Sequence, residues 1–257
     1  MLVLLSPSKR LDEKPTLPDM TPTQPALLDK ATALAGIMKK KTAADLKKLM
    51  GVSDAIATLN VQRFKDFKTP FTPQNALPAL FLFKGDVYDN MDVHTYKKPE
   101  LDFAQKHVRI LSGLYGVLRP MDLMQPYRLE MGTTLETKTA KNLYGYWGDA
   151  ITEHLNADLN ASGDDTVINL ASTEYFSAVK PTHLNGRLLT LHFKQNKGGS
   201  LKTIGLMAKR ARGMMCNYII KHHITDPEKL KGFTGGGYVF RPELSEADSW
   251  VFTLNMK

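Results

Sequence analysis

Five short runs limit what this chain can fold into. Met1–Leu5, Leu80–Phe83, Val108–Leu111, Thr166–Leu170 and Leu188–Phe193 are of strand length and rich in leucine or β-branched residues. Between them lie longer stretches with apolar residues at helical spacing. Pro25 opens one such pattern, which runs to Met38, and others cover Thr42–Met50, Asp54–Phe67, Asn142–Leu159 and Met207–His223. Lys202–Leu206 reads as a further strand, and Tyr238–Phe240 is expected to pair with Trp250–Leu254 after the Gly235–Gly237 loop. Pro15, Pro18, Pro22 and Pro25 mark the segment after the first strand as an ordered loop. Helices and strands intermix without a strict βαβ beat. This predicts an α+β fold, a mixed sheet flanked by helices in one domain spanning residues 1–257.

No apolar segment approaches the ~18 residues that span a bilayer. The opening Met1–Pro7 run is too short for a secretion signal, and no basic segment precedes it. Cys216 is the one cysteine, which excludes a disulfide framework and a cysteine-based metal site. These features predict a cytoplasmic location, with a monomer the favoured state.

The charge is segregated. Residues 1–174 carry 21 basic and 21 acidic side chains, while Tyr175–Thr225 holds nine Lys or Arg and no Asp or Glu. Such a segment suits a surface that meets a polyanion, although a solvated lysine-rich face reads the same way. Residues 39–68 carry a local excess of five positive charges. Both blocks are expected to converge on one face.

Within the second block, residues 42–67 read as helix, tight Gly51 turn, helix. A glycine turn opening a helix leaves backbone N–H groups free to meet a phosphate oxygen. Ser53 is placed to cap the second helix, and Lys47 and Lys48 add charge without reading bases. This looks like a helix-hairpin-helix, although Ser53 stands where that motif has a second glycine and Asp54 sits where phosphate would approach. An ordinary αα-corner with a basic face is the alternative.

Residues 111–132, LSGLYGVLRPMDLMQPYRLEMG, alternate Gly and Pro with Tyr and Arg. Gly113, Gly116 and Gly132 permit close backbone approach, and Pro120 and Pro126 fix turns. Arg119, Arg128 and Glu130 are therefore presented on a rigid frame, as recognition of phosphate or carboxylate requires. A purely structural Arg128–Glu130 pair is the other reading.

That segment, with LLSPSKRLD at the N-terminus, FKGDVY (Phe83–Tyr88), LYGYWGD (Leu143–Asp149), INLAS and EYF (Ile168–Phe176) and AKRARG (Ala208–Gly213), resembles the peroxide stress protein YaaA family over nearly the whole chain. The family more often has Ala and Thr at the positions of Ser8 and Arg10. The resemblance implies a bacterial protein of the hydrogen-peroxide response that limits damage driven by free iron. It also implies non-specific binding of double-stranded DNA through the helix-hairpin-helix and a basic cleft, in a fold peculiar to the family. The DNA-contacting candidates are Lys47, Lys48, Gly51, Ser53, Lys180, Lys209, Arg210 and Arg212. The cleft candidates are Lys9, Arg10, Tyr115, Arg119, Arg128, Glu130, Trp147 and Glu174.

The seven histidines form no metal-binding pattern, and His222 and His223 point about 100° apart on a helix. Neither a metal nor another cofactor is expected. Cys216 reads as a buried apolar thiol. The rival to a DNA binder is an enzyme that modifies a nucleotide or nucleobase. Its Arg/Lys/Glu pocket would use Glu130 or Glu174 as general acid or base beside a lysine of depressed pKa.

Overall fold

The computed structural model describes residues 1–197 and 200–255, so Gly198 and Gly199 of the acid-free segment, and the side chain of Lys197, lie outside the described residues. The main sheet contains β1 (Leu2–Leu5), β2 (Val108–Ser112), β3 (Gly116–Leu118), β4 (Thr166–Asn169), β5 (Arg187–Lys197), β6 (Ser200–Lys202), β7 (Val239–Phe240) and β8 (Ser249–Asn255). The helices that matter for the site are α1 (Leu28–Met38), α2 (Ala43–Met50), α3 (Asp54–Asp66), α4 (Asp86–Asp89), α5 (Lys98–His107), α6 (Leu143–Trp147), α7 (Ala150–Ser162), α8 (Thr173–Phe176) and α9 (Gly205–Lys221).

Five strands form a parallel centre in the order β2-β1-β4-β5-β8, with Val3 in register with both Val108 and Ile168. Antiparallel β3, β6 and β7 border it, so the sheet is mixed and the fold is α+β. Every residue of β1 is buried, as a central parallel strand covered on both faces requires. That is why Leu2–Leu5 is continuously apolar rather than alternating. The terminal strands pair as expected, with Phe240 opposite Phe252.

Local signals place most helix ends. Thr42 and Asp45 form a reciprocal capping box at α2, Gly51 closes that helix at φ +62°, and the Ser53 hydroxyl accepts from the N–H of Ile56. Four elements differ from expectation. Leu80–Phe83 is not a strand: Ala79–Leu82 forms a buried helical turn between the short strands Leu77–Pro78 and Phe83–Lys84. A short apolar run has no period to tell the two states apart. The Asn142–Leu159 helix is two helices, because Gly148 at φ +53° breaks the chain between α6 and α7. The helix expected from Pro25 starts at Leu28, since Thr23 is bonded through its backbone to Met121 and Leu123 and keeps the preceding chain extended. The strand expected over Lys202–Leu206 stops at Lys202, where the Gln195 side chain takes the N–H of Ile204 and Gly205 opens α9.

Candidate functional site

The parallel strands reverse their direction of progression at β1. From β1 the chain builds outward through β2 on one side, then through β4, β5 and β8 on the other. The loops leaving the carboxyl ends of β1 and β4 therefore diverge and leave a crevice, the place where open sheets of this order take ligands. Ser6–Arg10 and Leu170–Tyr175 line a cleft of about 460 Å³ there. Two hydrogen bonds tie its floor: Ser172 donates its N–H to the Ser6 hydroxyl at 2.8 Å, and the Ser6 hydroxyl donates to that of Ser172 at 3.2 Å.

The far walls are Gly85–Val87, opening α4, and Lys209 and Arg212 on α9. Gly213 brings these walls together. A Cβ there would lie 2.1 Å from the carbonyl oxygen of Val87, so only glycine lets α9 approach α4 this closely. Tyr88 fixes the same wall to the strand end by donating to the Ser6 carbonyl at 3.0 Å.

Arg212 is mostly buried, its Nε–H meets no acceptor, and it forms no ion pair among the described residues. Burial holds its pKa below the usual guanidinium value. A cation in such a place is expensive unless an anion joins it. Lys209 and Arg10 are exposed in the same cleft. Lys9 places its Nζ 2.6 Å from Glu130 Oε2, and Arg128 donates to Oε1 of the same carboxylate at 3.1 Å. Glu174 Oε1 accepts the N–H of Gly132 at 3.0 Å, and its second oxygen faces no partner among the described residues.

A second cleft of about 490 Å³ shares Lys9 and Arg10 with the first. Its other wall is the face of α3 bearing Ile56, Leu59, Asn60 and Arg63, with Arg128 and Lys84 completing it. The short strand Arg10–Leu11, paired to Phe83–Lys84, is the ridge between the two clefts. At the turn preceding α3, Lys47 donates to Asp54 at 3.0 Å, whereas Lys48 is exposed and forms no hydrogen bond or ion pair among the described residues.

The structure thus gathers Lys9, Arg10, Arg128, Glu130, Glu174, Lys209 and Arg212 around one ridge. Arg210 adjoins it, 3.7 Å from Asp86. Tyr115 and Trp147 must be moved from the cleft to the core: both are buried, Tyr115 bonding Gln125 at 3.1 Å and Trp147 donating to the Gly113 carbonyl at 3.1 Å. Arg119 lines neither cleft, since it reaches Asp122 at 3.3 Å and the Gln24 carbonyl at 3.3 Å. Lys180 is likewise outside both, held by Asp149 at 3.0 Å. Ser6, Ser172 and Asn60 were not among the expected site residues, and Arg63 was expected only as part of the basic 39–68 block. Ser6 and Ser172 each fall just past the carboxyl end of a predicted strand, which was the available signal.

Among the described residues no cluster of three His, Cys, Asp or Glu is arranged to hold a metal ion. Cys216 is fully buried and its thiol is pushed well above its ordinary pKa by burial, which makes it a packing group rather than a nucleophile. No helix of the described residues is long and apolar enough to cross a membrane.

Fold and cleft together define an α+β protein with a cationic pocket at the carboxyl ends of its parallel strands. The sequence model of the peroxide stress protein YaaA family matches residues 1–244. A UPF0246 protein of Magnetococcus marinus is 52% identical over 253 residues, 98% of either chain. One from Acaryochloris marina is 50% identical over 255 residues, covering 99% of this chain and 100% of its own, and one from Teredinibacter turnerae is 48% identical over 253, covering 98% and 99%. The chain belongs to the peroxide stress protein YaaA family.

Proposed function

We propose that this chain binds duplex DNA through its phosphates, without reading sequence, and serves the bacterial cytoplasmic response to hydrogen peroxide by limiting damage driven by free iron. One observation carries the DNA reading. Residues of α3, from the basic Lys39–Lys68 block, and of α9, from the acid-free segment, border opposite sides of the same Lys9–Arg10 ridge. Cations from two stretches far apart in sequence thereby border one ridge, Arg63 of α3 being paired with Glu13, and this supports a tract that a polyanion can follow. On this reading the Gly51 turn, Ser53 and Lys48 add phosphate contacts at the end of α2. The iron reading rests on family membership. The test is a salt titration of binding to several unrelated duplexes. Four to six phosphate contacts give a log–log slope of about −4 to −5, alike for every sequence. Affinity unchanged by salt, or confined to one sequence, sinks the proposal.

A second reading, an enzyme modifying a nucleotide or nucleobase, is favoured by the Lys9–Glu130 contact beside Glu174. A lysine and two carboxylates at the mouth of a cleft have the composition for proton transfer. Product formation from nucleotides or damaged duplexes, lost in Glu130→Gln, would establish it.

A further inference from the structure

Arg212 and Glu174 line the same cleft with opposite charges, and each has bonding capacity left unused among the described residues. They do not pair with each other. Both line the one cleft, so a ligand there can offer an anion to Arg212 and an N–H donor to Glu174. A bare phosphate rail has no use for the carboxylate. The lining of the cleft also includes Pro7, Val87, Leu170 and the buried Tyr175, apolar surface that suits a flat ring, beside the hydroxyls of Ser6, Ser8 and Ser172. A volume of about 460 Å³ lies within the range of small-molecule sites and accommodates a single nucleotide.

We infer that the cleft takes one nucleoside monophosphate unit bearing an amino-substituted base, free or as part of a nucleic-acid strand. The phosphate meets the Arg212 guanidinium, joined by Lys209, and replaces the counter-ion that the protein does not supply. The free oxygen of Glu174 accepts from the exocyclic amine of the base, as carboxylates do from cytosine N4. Its other oxygen stays on the Gly132 N–H, which fixes the direction of acceptance. The cleft then discriminates bases that carry an amine from uracil or thymine, whose edges turn carbonyl oxygens toward the same carboxylate. This inference rests on the reading that the cleft binds phosphate.

The test is calorimetric titration of the full chain with inorganic phosphate, ribose 5-phosphate, GMP, AMP, CMP and UMP, and with single-stranded oligocytidylate and oligouridylate. At least one amino-bearing nucleotide is expected to bind tenfold or more tightly than ribose 5-phosphate and UMP. Glu174→Gln should erase that preference while phosphate binding persists, and Arg212→Met should abolish binding of every probe in a variant whose melt still shows a folded protein. Preference among free nucleotides identifies a metabolite ligand; preference seen only between the two oligonucleotides identifies a nucleotide within a strand. If phosphate binds and no probe shows base preference, the inference fails and the phosphate reading stands. If no probe binds, both fail. If Arg212→Met does not fold, Arg212→Lys replaces it, and undiminished binding there counts against the assigned role of the guanidinium.

Discussion

Lys9 reaches Glu130 with its Nζ 2.6 Å from Oε2, while Arg128 holds the other oxygen of the same carboxylate. Glu130 is thus gripped from two elements far apart in sequence, and the ridge between the two clefts is tied to the Gly/Pro-rich segment.

This double grip separates stability from function at Arg128. In Arg128→Lys the carboxylate keeps Lys9, so the melting temperature should stay nearly unchanged. The planar fork is lost from the wall of the second cleft. Duplex affinity should fall about threefold to tenfold, the loss of one charge-assisted hydrogen bond of roughly 1 kcal/mol. Melting curves with a peroxide-survival assay check this. Marked destabilisation with full protection would assign the pair to structure alone.

Asp54 neutralises Lys47 at the N-terminus of α3. On the DNA reading, Asp54→Asn releases that lysine and removes a repulsive charge from the phosphate path. Binding should tighten for all duplexes alike, and the salt slope should steepen by about 0.9 if Lys47 then makes a contact. Lys48→Ala should weaken binding more than Lys47→Ala, since Lys47 is already paired. Equal affinities across the three variants and the parent would remove the α2–α3 turn from the interface.

Gly213→Ala would force a Cβ to 2.1 Å from a backbone oxygen of α4, an atom that cannot swing away. Overpacking of this kind destabilises by about 1–3 kcal/mol. Denaturant midpoints should show the loss, and ligand affinity should drop with it because Lys209 and Arg212 ride on the displaced helix. A stability equal to the parent would contradict the close packing of α9 on α4.

Stability should also decline on acidification from about pH 7 to 5. His107, His154 and His192 each have a pKa lowered chiefly by burial. The neutral form is favoured in the native state, whereas the unfolded chain takes up protons near the ordinary value of about 6.5. Unfolding then binds protons, and stability rises with pH through this window. His107 is additionally fixed by a 2.9 Å contact with the Met1 carbonyl, near Asp164. His107→Gln should flatten part of the pH dependence of chemical denaturation; an unaltered profile would exclude His107 as a contributor.

Features carried by a few neighbouring residues were legible from the chain alone. The helix from Thr42, the glycine stop at Gly51, the Ser53 cap, the wholly apolar β1 and the long α9 all follow from hydrogen bonds and periodicities closed within a few residues. The charge segregation and the family strings likewise pointed to Lys9, Arg128, Glu130 and Arg212. Burial and partnership were not legible, because both depend on chain segments brought together from a distance. Tyr115, Trp147 and Arg119 share one Gly/Pro-rich neighbourhood of the sequence with the cleft residues, or have similar composition around them. Yet Trp147 packs against Gly116, where a Cβ would lie 2.7 Å from its ring, and Arg119 is drawn off by the buried Asp122. Composition marked Arg212 as one of nine cations in an acid-free segment. Only the pairing of β1 with β4, with α9 seated on α4 through Gly213, made it a largely desolvated charge with no counter-ion among the described residues, since desolvation is a property of the assembled fold and not of the residue.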